Sequence, residues 1–372
     1  VIQSAERLAI VAEREVEALV GVSTPSGDVA GAEEAVALCV AFLPSEVQPE
    51  RLECSTPGHA PDLLGRLTGT GERRLLLVGH LDTVVAHDAH RPITRDGDRL
   101  VGSGTVDMKG GVALALGVMR ELAARPELYA EAAVLLVNDE EWRTVPFLHT
   151  ERFRGWDACL CFEAGELDAE GRDAVIVRRK AAGTLEINAH GRPAHSGSAP
   201  QKGRSALLAL AGIARQVAAA SDPTGPDRLT AVPTILRSGE AFNVVPPQGR
   251  LVCDLRADDL AAFQPVLQAV PEEVDGVAIE SALVRAWPGM DTRSATAGLL
   301  EDAAQRLGRP LQASERGGAS DASHIAQAVA VTVDGLGPRG GGAHTPQEWV
   351  SAEALRTRAE VALALVAAIL RG

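Results

Sequence analysis

Apolar residues recur along the chain at two different periods. Across residues 2–20 the apolar positions Leu8, Val11, Val16, Leu19 and Val20 fall at helical spacing. Glu33 to Leu43 reads as a second helix beyond the turn-rich Ser23-Thr24-Pro25-Ser26-Gly27. Short apolar runs follow at Leu63–Leu67, Leu75–Val78, Ala132–Val137 and Ala158–Phe162. These runs predict strands, and Leu75–Val78 a buried parallel one, because a strand covered on both faces needs no polar alternation. The first two flank the polar turn Thr70-Gly71-Glu72, and a strongly helical segment ending near Ala124 precedes the third. Strands alternating with helices predict an α/β sheet layered by helices.

From about residue 181 the pattern changes. Thr184–His190 alternates as a strand, Ser205–Ala219 is helical, and Thr230–Leu236 and Arg250–Arg256 are strands. A helix at Asp258–Ala269 and a strand at Val277–Val284 complete the order β-α-β-β-α-β, the ferredoxin-like unit. After roughly residue 292 the layered pattern returns, with a helix at Ala295–Arg306, a short strand at Val329–Val333, a glycine-rich loop and a final helix at Ala352–Leu370. The expected plan is therefore a discontinuous first domain, residues 1–180 and 293–372, interrupted by an inserted domain at residues 181–292. A length of 372 residues, beyond one typical core, agrees with two domains.

Composition narrows the function. The chain is 46% hydrophobic but only 3% aromatic, so its core must be aliphatic. A formal charge of −14 argues against nucleic acid and against an anionic membrane surface as partners, and reads as solubility. No stretch is long and apolar enough to span a bilayer. Glu6, Arg7, Glu13, Arg14 and Glu15 do not fit the apolar core of a signal peptide, although a chain opening on Val1 rather than Met leaves a removed leader open. Cys39, Cys54, Cys159, Cys161 and Cys253 are odd in number and lack zinc-ribbon spacing. They read as buried thiols of a reducing compartment, and the cytoplasm is the expected location.

Candidate chemistry gathers at the strand ends. Leu75-Leu76-Leu77-Val78 runs into Gly79-His80-Leu81-Asp82, placing a histidine and a carboxylate where open α/β sheets bind ligands. In an extended segment His80 and Asp82 point to one side, so Asp82 can hold the imidazole while its other nitrogen faces a metal. Asp139, Glu140 and Glu141 follow another apolar strand, and Glu163 follows a third. Clustered carboxylates repel unless a cation offsets them, and acidic ends on successive strands beside His80 make that cation the expectation. Carboxylate and imidazole without thiolate suit zinc, manganese or cobalt.

The elements Gly79-His80-Leu81-Asp82-Thr83-Val84, Gly104-Thr105-Val106-Asp107-Met108-Lys109-Gly110-Gly111, Asp139-Glu140-Glu141, Phe162-Glu163-Ala164-Gly165 and a late His344 resemble, in order, the motifs of the M20 metallopeptidases. That family includes glutamate carboxypeptidase, acetylornithine deacetylase and succinyl-diaminopimelate desuccinylase. The resemblance covers nearly the whole chain. It implies a layered α/β zinc-peptidase-like catalytic domain with an inserted ferredoxin-like lid that forms a homodimer contact. It also implies two divalent ions, zinc first with cobalt or manganese as alternatives. His80 and Glu163 would serve one ion, Glu141 and His344 the other, with Asp107 bridging them and Asp82 behind His80. The Asp107–Met108 peptide bond is expected to be cis. Glu140 takes the place of the general base; in an extended segment it cannot share Glu141's direction.

Further roles come from the same resemblance. His195, in Gly191-Arg192-Pro193-Ala194-His195-Ser196-Gly197, matches the lid histidine that reaches the oxyanion from the partner subunit. Arg256 matches the arginine that pairs with a substrate carboxylate, a pairing that suits a planar guanidinium. Asn243 matches the lid asparagine, and Gly317 and Gly318 open a glycine loop whose backbone approaches substrate. Many relatives place small residues soon after the double glutamate, whereas this chain has Trp142-Arg143-Thr144. These side chains either narrow the pocket or bind an extra acidic group, or else pack against the Phe147 region without touching substrate. The expected activity is cleavage of an amide next to a free carboxylate, as a carboxypeptidase on short peptides or N-acyl amino acids. A deacylase of the acetylornithine or succinyl-diaminopimelate type is the narrower alternative. A non-catalytic binding module is disfavoured, because every ligand and the base are present.

Overall fold

A computed structural model describes residues 2–371. It divides into two compact units, one comprising Val1–Arg178, Asp291–Glu315 and Ser320–Gly372, the other Arg179–Met290 with Arg316–Ala319. The short segment Arg316–Ala319 thus joins the inserted unit, a detail outside the expected boundaries.

The first unit is built on a mixed six-stranded sheet in the order Gln48–Leu52, Asp62–Thr68, Glu131–Val137, Arg74–His80, Ala158–Cys161, Thr332–Val333. Arg74–His80 lies parallel to both neighbours, with Val78 opposite Leu135 and Cys161. Leu75 to Val78 are fully buried, which is why the run carries no polar alternation. The sequence order misleads at one point. The strands on either side of Thr70-Gly71-Glu72 follow each other in the chain but are not neighbours: Asp62–Thr68 pairs antiparallel with Glu131–Val137, which inserts between it and Arg74–His80. Helices Ile2–Gly21, Gly110–Ala123 and Ala352–Arg371 pack on one another and on the sheet through Ala, Val and Leu, for example Val16, Leu19, Leu116, Leu136 and Leu365. Burial of such side chains, about 1.5–3 kcal/mol each, supplies the drive for this layer. Among the described residues no helix is long and apolar enough to cross a membrane.

The second unit is a five-stranded antiparallel sheet, ordered Thr230–Ser238, Gln248–Ala257, Ala181–His190, Val277–Trp287, Glu273–Val274. Helix Ala206–Ala219 begins at Ser205, whose hydroxyl accepts the Leu208 N–H at 3.3 Å. Its buried stripe of Leu210, Ile213 and Val217 meets Leu185, Leu251 and Leu255 of the sheet. Helix Gln264–Ala269 and Phe263 join the same core. The outermost long strand, Thr230–Ser238, leaves Val232, Ile235 and Leu236 exposed.

Candidate metal centre

Three neighbouring strands of the first unit end side by side, and their C-terminal residues turn inward together. His80 closes its strand opposite Val137, and Phe162 N–H donates to Val78 O at 3.0 Å, so the segments carrying His80, Glu140 and Glu163 leave the sheet at one edge. Asp107 arrives from a different direction. A wide turn at Thr105–Lys109 leads into helix Gly110–Ala123, and the Asp107–Met108 peptide bond is cis. Glycine is required at both margins of this turn. Gly104 adopts φ +74°, and a Cβ on Gly111 would sit 1.8 Å from the Phe162 carbonyl oxygen.

The Asp107 carboxylate is shared. Its Oδ1 lies 3.0 Å from His80 Nε2 and its Oδ2 lies 3.0 Å from His344 Nε2. Glu163 Oε1 is 3.7 Å from His80 Nε2, and Glu141 Oε2 is 3.3 Å from His344 Nε2. Two groups therefore bring their donor atoms within 4.8 Å of one another: His80, Asp107 and Glu163, and Asp107, Glu141 and His344. His344 sits in the loop of the hairpin formed by Gly340–Gly341 and Trp349–Ser351, and adopts φ +65°.

The electrostatics are those of a place built for positive charge. Burial alone would push the His80 imidazole down, but hydrogen bonds to Asp107 and Asp82 and the charges of Glu140 and Glu163 hold it well above its usual range. Bonds to Asp107 and Glu141 push His344 up to about 10. Burial works against the charged form of Asp107, yet the two imidazoles outweigh it and hold the carboxyl well below its usual range. Burial pushes Glu140 well above the ordinary carboxylate range, with Glu163, Asp321 and Glu141 adding to the shift against the pull of His80. Imidazolium protons here occupy the positions at which divalent ions would bind nitrogen. Glu141 Oε1, buried without a hydrogen-bond partner, is a lone pair left for a cation. Nitrogen and oxygen donors without sulfur fit zinc, manganese or cobalt.

Around the donors lies a buried scaffold. His80 Nδ1 is 3.0 Å from the Asp82 backbone carbonyl and 3.4 Å from the Asp82 carboxylate, so the nearer partner is main chain rather than the side chain expected. The Asp82 carboxylate accepts the N–H groups of Glu140 and Glu141, each at 3.1 Å. The Glu140–Trp142 segment is a turn, not the extended stretch assumed, and these paired bonds orient it instead. Glu348, absent from the residues singled out above, accepts the N–H groups of Gly104 at 2.8 Å, Val106 at 2.8 Å and Asp107 at 3.0 Å. It fastens the loop of Asp107 to the segment that follows His344. The only signal for it in the sequence is a glutamate four residues beyond His344, ahead of an apolar strand. Arg143 is fully buried and stacks over the Phe147 ring at 4.5 Å, as the packing alternative has it for this side chain, while Trp142 is 62% exposed.

The remaining candidates lie in the second unit or its attached segment. His195 Nδ1 accepts the N–H groups of Gly197 at 3.1 Å and Ser198 at 3.2 Å, so the proton of the neutral ring resides on Nε2. The backbone of His195 bridges Val244, and Ser196 N–H donates to Asn243 O at 2.9 Å, which brings the His195 and Asn243 loops together. Arg256 is engaged through Nε and Nη2 by Asp254, at 2.9–3.1 Å. Gly318 O accepts from Arg179 Nη1 at 2.9 Å, and open space lies beside Gly317 and Gly318.

A layered α/β unit holding two His/carboxylate clusters is the arrangement of a metal-dependent hydrolase. Residues 76–368 match the family described as peptidase family M20/M25/M40, and the chain belongs to that family. It is similar to carboxypeptidase G2 of Pseudomonas sp. (strain RS-16), 26% identical over 372 residues covering 94% of this chain and 87% of the relative. It is also similar to succinyl-diaminopimelate desuccinylase of Methylobacterium sp. (strain 4-46), 31% identical over 317 residues, with 77% of this chain and 79% of the relative covered. Among solved structures, a tripeptidase from Staphylococcus aureus aligns with a TM-score of 0.78 at 19% identity, covering 98% of this chain and 99% of that one. An M20 family metallo-carboxypeptidase from Sulfolobus solfataricus aligns at 0.75 and 16% identity, covering 97% and 99%. These likenesses extend the fold to the full chain, and the family implies divalent metal ions.

Proposed function

We propose that this hydrolase uses two metal ions to cleave an amide bond next to a free carboxylate, as a carboxypeptidase on short peptides or N-acyl amino acids. The observation that carries the reading is the Asp107 carboxylate, each oxygen of which meets a different His/carboxylate pair. His80 and Glu163 would hold one ion, Glu141 and His344 the other, and Asp107 both, with zinc the first expectation and cobalt or manganese next. Bound there, the ions supply Lewis acidity and a water of lowered pKa. The chain's own residues do the rest. Glu140, buried beside the donors and raised in pKa by that burial, takes a proton from the attacking water and returns it to the leaving amine. His195, with its proton on Nε2, donates to the developing oxyanion from a partner subunit. Arg256 turns from Asp254 toward the substrate carboxylate, while Asn243, Gly317 and Gly318 line the substrate.

The same reading has the inserted unit acting as lid and dimer contact. Its edge strand Thr230–Ser238 and helix residues Leu207 and Leu208 leave apolar side chains uncovered, which suits a second copy of the chain. All five cysteines are free and buried, in keeping with a reducing, cytoplasmic setting. The desuccinylase relatives favour a biosynthetic deacylase as the second reading. The deciding experiment is elemental analysis of purified protein beside an activity panel of dipeptides ending in glutamate, N-acyl amino acids, acetylornithine and succinyl-diaminopimelate. Two ions per chain with turnover of the first two groups supports the carboxypeptidase. Turnover confined to the last two moves the assignment to the deacylase, and metal-independent turnover overturns both. E140Q is expected to keep its metal and lose roughly 10²–10⁴-fold in kcat.

A further inference from the structure

The turn that carries the two glutamates is held from two sides. On one side Asp82 accepts both of their backbone N–H groups. On the other, Asp139 and Arg143 bracket them: Arg143 Nε donates to Asp139 Oδ1 at 3.1 Å, closing a ring over Glu140 and Glu141. Asp139 is itself fixed by Thr56, whose N–H and hydroxyl donate to Oδ2 at 2.8 and 2.7 Å. Arg143 then reaches across to Asp321, with Nη1 and Nη2 each 2.7 Å from Oδ1. Asp321 opens the short helix Asp321–Ile325, and His324 of that helix lies 5.3 Å from the Phe147 ring under the guanidinium. Arg143, Asp139 and Asp321 are all buried.

Such a cluster is a poor way to gain stability alone. Removing three charges from water is costly, and well-packed apolar residues of similar volume commonly do as well. What a planar guanidinium gives is fixed direction at several donors at once. Here those donors tie both ends of the glutamate turn to a separate helix.

We propose that Arg143 is a positioning residue for hydrolysis: anchored on Asp139 and Asp321, it sets the orientation in which Glu140 meets the attacking water. Because it is fully buried, it touches no substrate. The inference rests on the reading of Glu140 as general base, so the test separates the two. R143K and the charge-balanced pair R143M/D321N are compared with wild type for metal per chain, near-ultraviolet circular dichroism, kcat and KM. Expected are unchanged metal, unchanged dichroism and unchanged KM, with kcat lowered about 10–100-fold, the range typical of residues that orient a metal site from behind. R143K, which keeps the charge but not the fork, should lose less than the double variant. A folded, metal-loaded variant with kcat within about twofold of wild type overturns the proposal, as does a kcat that falls only in proportion to lost metal. Failure of both variants to fold also counts against it, since the cluster would then be a core ion pair and nothing more. If instead wild type shows no metal-dependent hydrolysis, or E140Q turns over at full rate, the reading of Glu140 fails without any Arg143 variant.

Discussion

The two halves of the donor cluster share one carboxylate but are made of different material. His80 and Glu163 rest on the ends of adjacent buried strands, and the His80 ring is 1% exposed. His344, 52% exposed, stands in a loop after Gly340-Gly341-Gly342 with a left-handed backbone, a conformation histidine tolerates better than most residues. The strand half is preorganised by the sheet, whereas the loop half is assembled by Glu348 and by the turn of Glu141. Equal ligand counts therefore do not mean equal sites. The buried half should bind tightly and exchange slowly, and the exposed half should be the one that opens.

The most severe way to break this comparison is to remove the shared oxygen pair. Asp107→Ala is expected to empty both halves, taking bound metal from about two ions per chain to near none and kcat down by at least roughly 10⁴-fold, the upper end of what one catalytic group supplies. Elemental analysis checks it, and retention of one full equivalent would mean the halves are independent. A sharper test substitutes each histidine alone. His80→Ala should cost metal and also about 2–4 kcal/mol of stability in chemical denaturation, because it leaves a cavity and unpaired buried partners. His344→Ala should lower metal by about one equivalent per chain and cost less stability than His80→Ala, because its half-exposed ring fills no core space and its pairs with Asp107 and Glu141 are partly solvated. Equal destabilisation by the two would erase the distinction.

The smallest effect is in pH. His344 is raised from 6.5 to about 10 without metal, so at neutral pH an ion must displace its proton. Metal affinity of the loop half should therefore climb as pH rises toward about 10, with proton release visible as a dependence of calorimetric heat on buffer ionisation enthalpy. The sign for folding is opposite. A raised histidine pKa stabilises the metal-free fold below about 6.5, and that contribution is lost as pH rises through about 10. Heats independent of buffer would show that the loop histidine is already bare.

Much of this organisation is written locally. The apolar run Leu75–Val78 and the alternation of Thr184–His190 each encode a strand by burial alone, so their periods are legible. Strand neighbours are not: Glu131–Val137 enters between Asp62–Thr68 and Arg74–His80, two strands that follow each other in the chain, and no local pattern marks that insertion. The side chains that meet on Asp107 stand out because each ends an apolar segment or a glycine turn. Glu348 and the Arg143–Asp321 contact do not, since a carboxylate clamped to three backbone N–H groups looks, in sequence, like any surface glutamate. Arg143 is the plainest case. A guanidinium beside an acidic triplet reads equally as substrate contact or as internal pair, and only burial separates them.

Trp142 carries a practical consequence. Its indole, in open solvent, follows Glu141 directly in the chain, while Trp156 and Trp287 are enclosed and Trp349 is half-covered. Emission from that single wet ring offers an intrinsic optical gauge of ion occupancy on the loop side, readable in a cuvette without a dye.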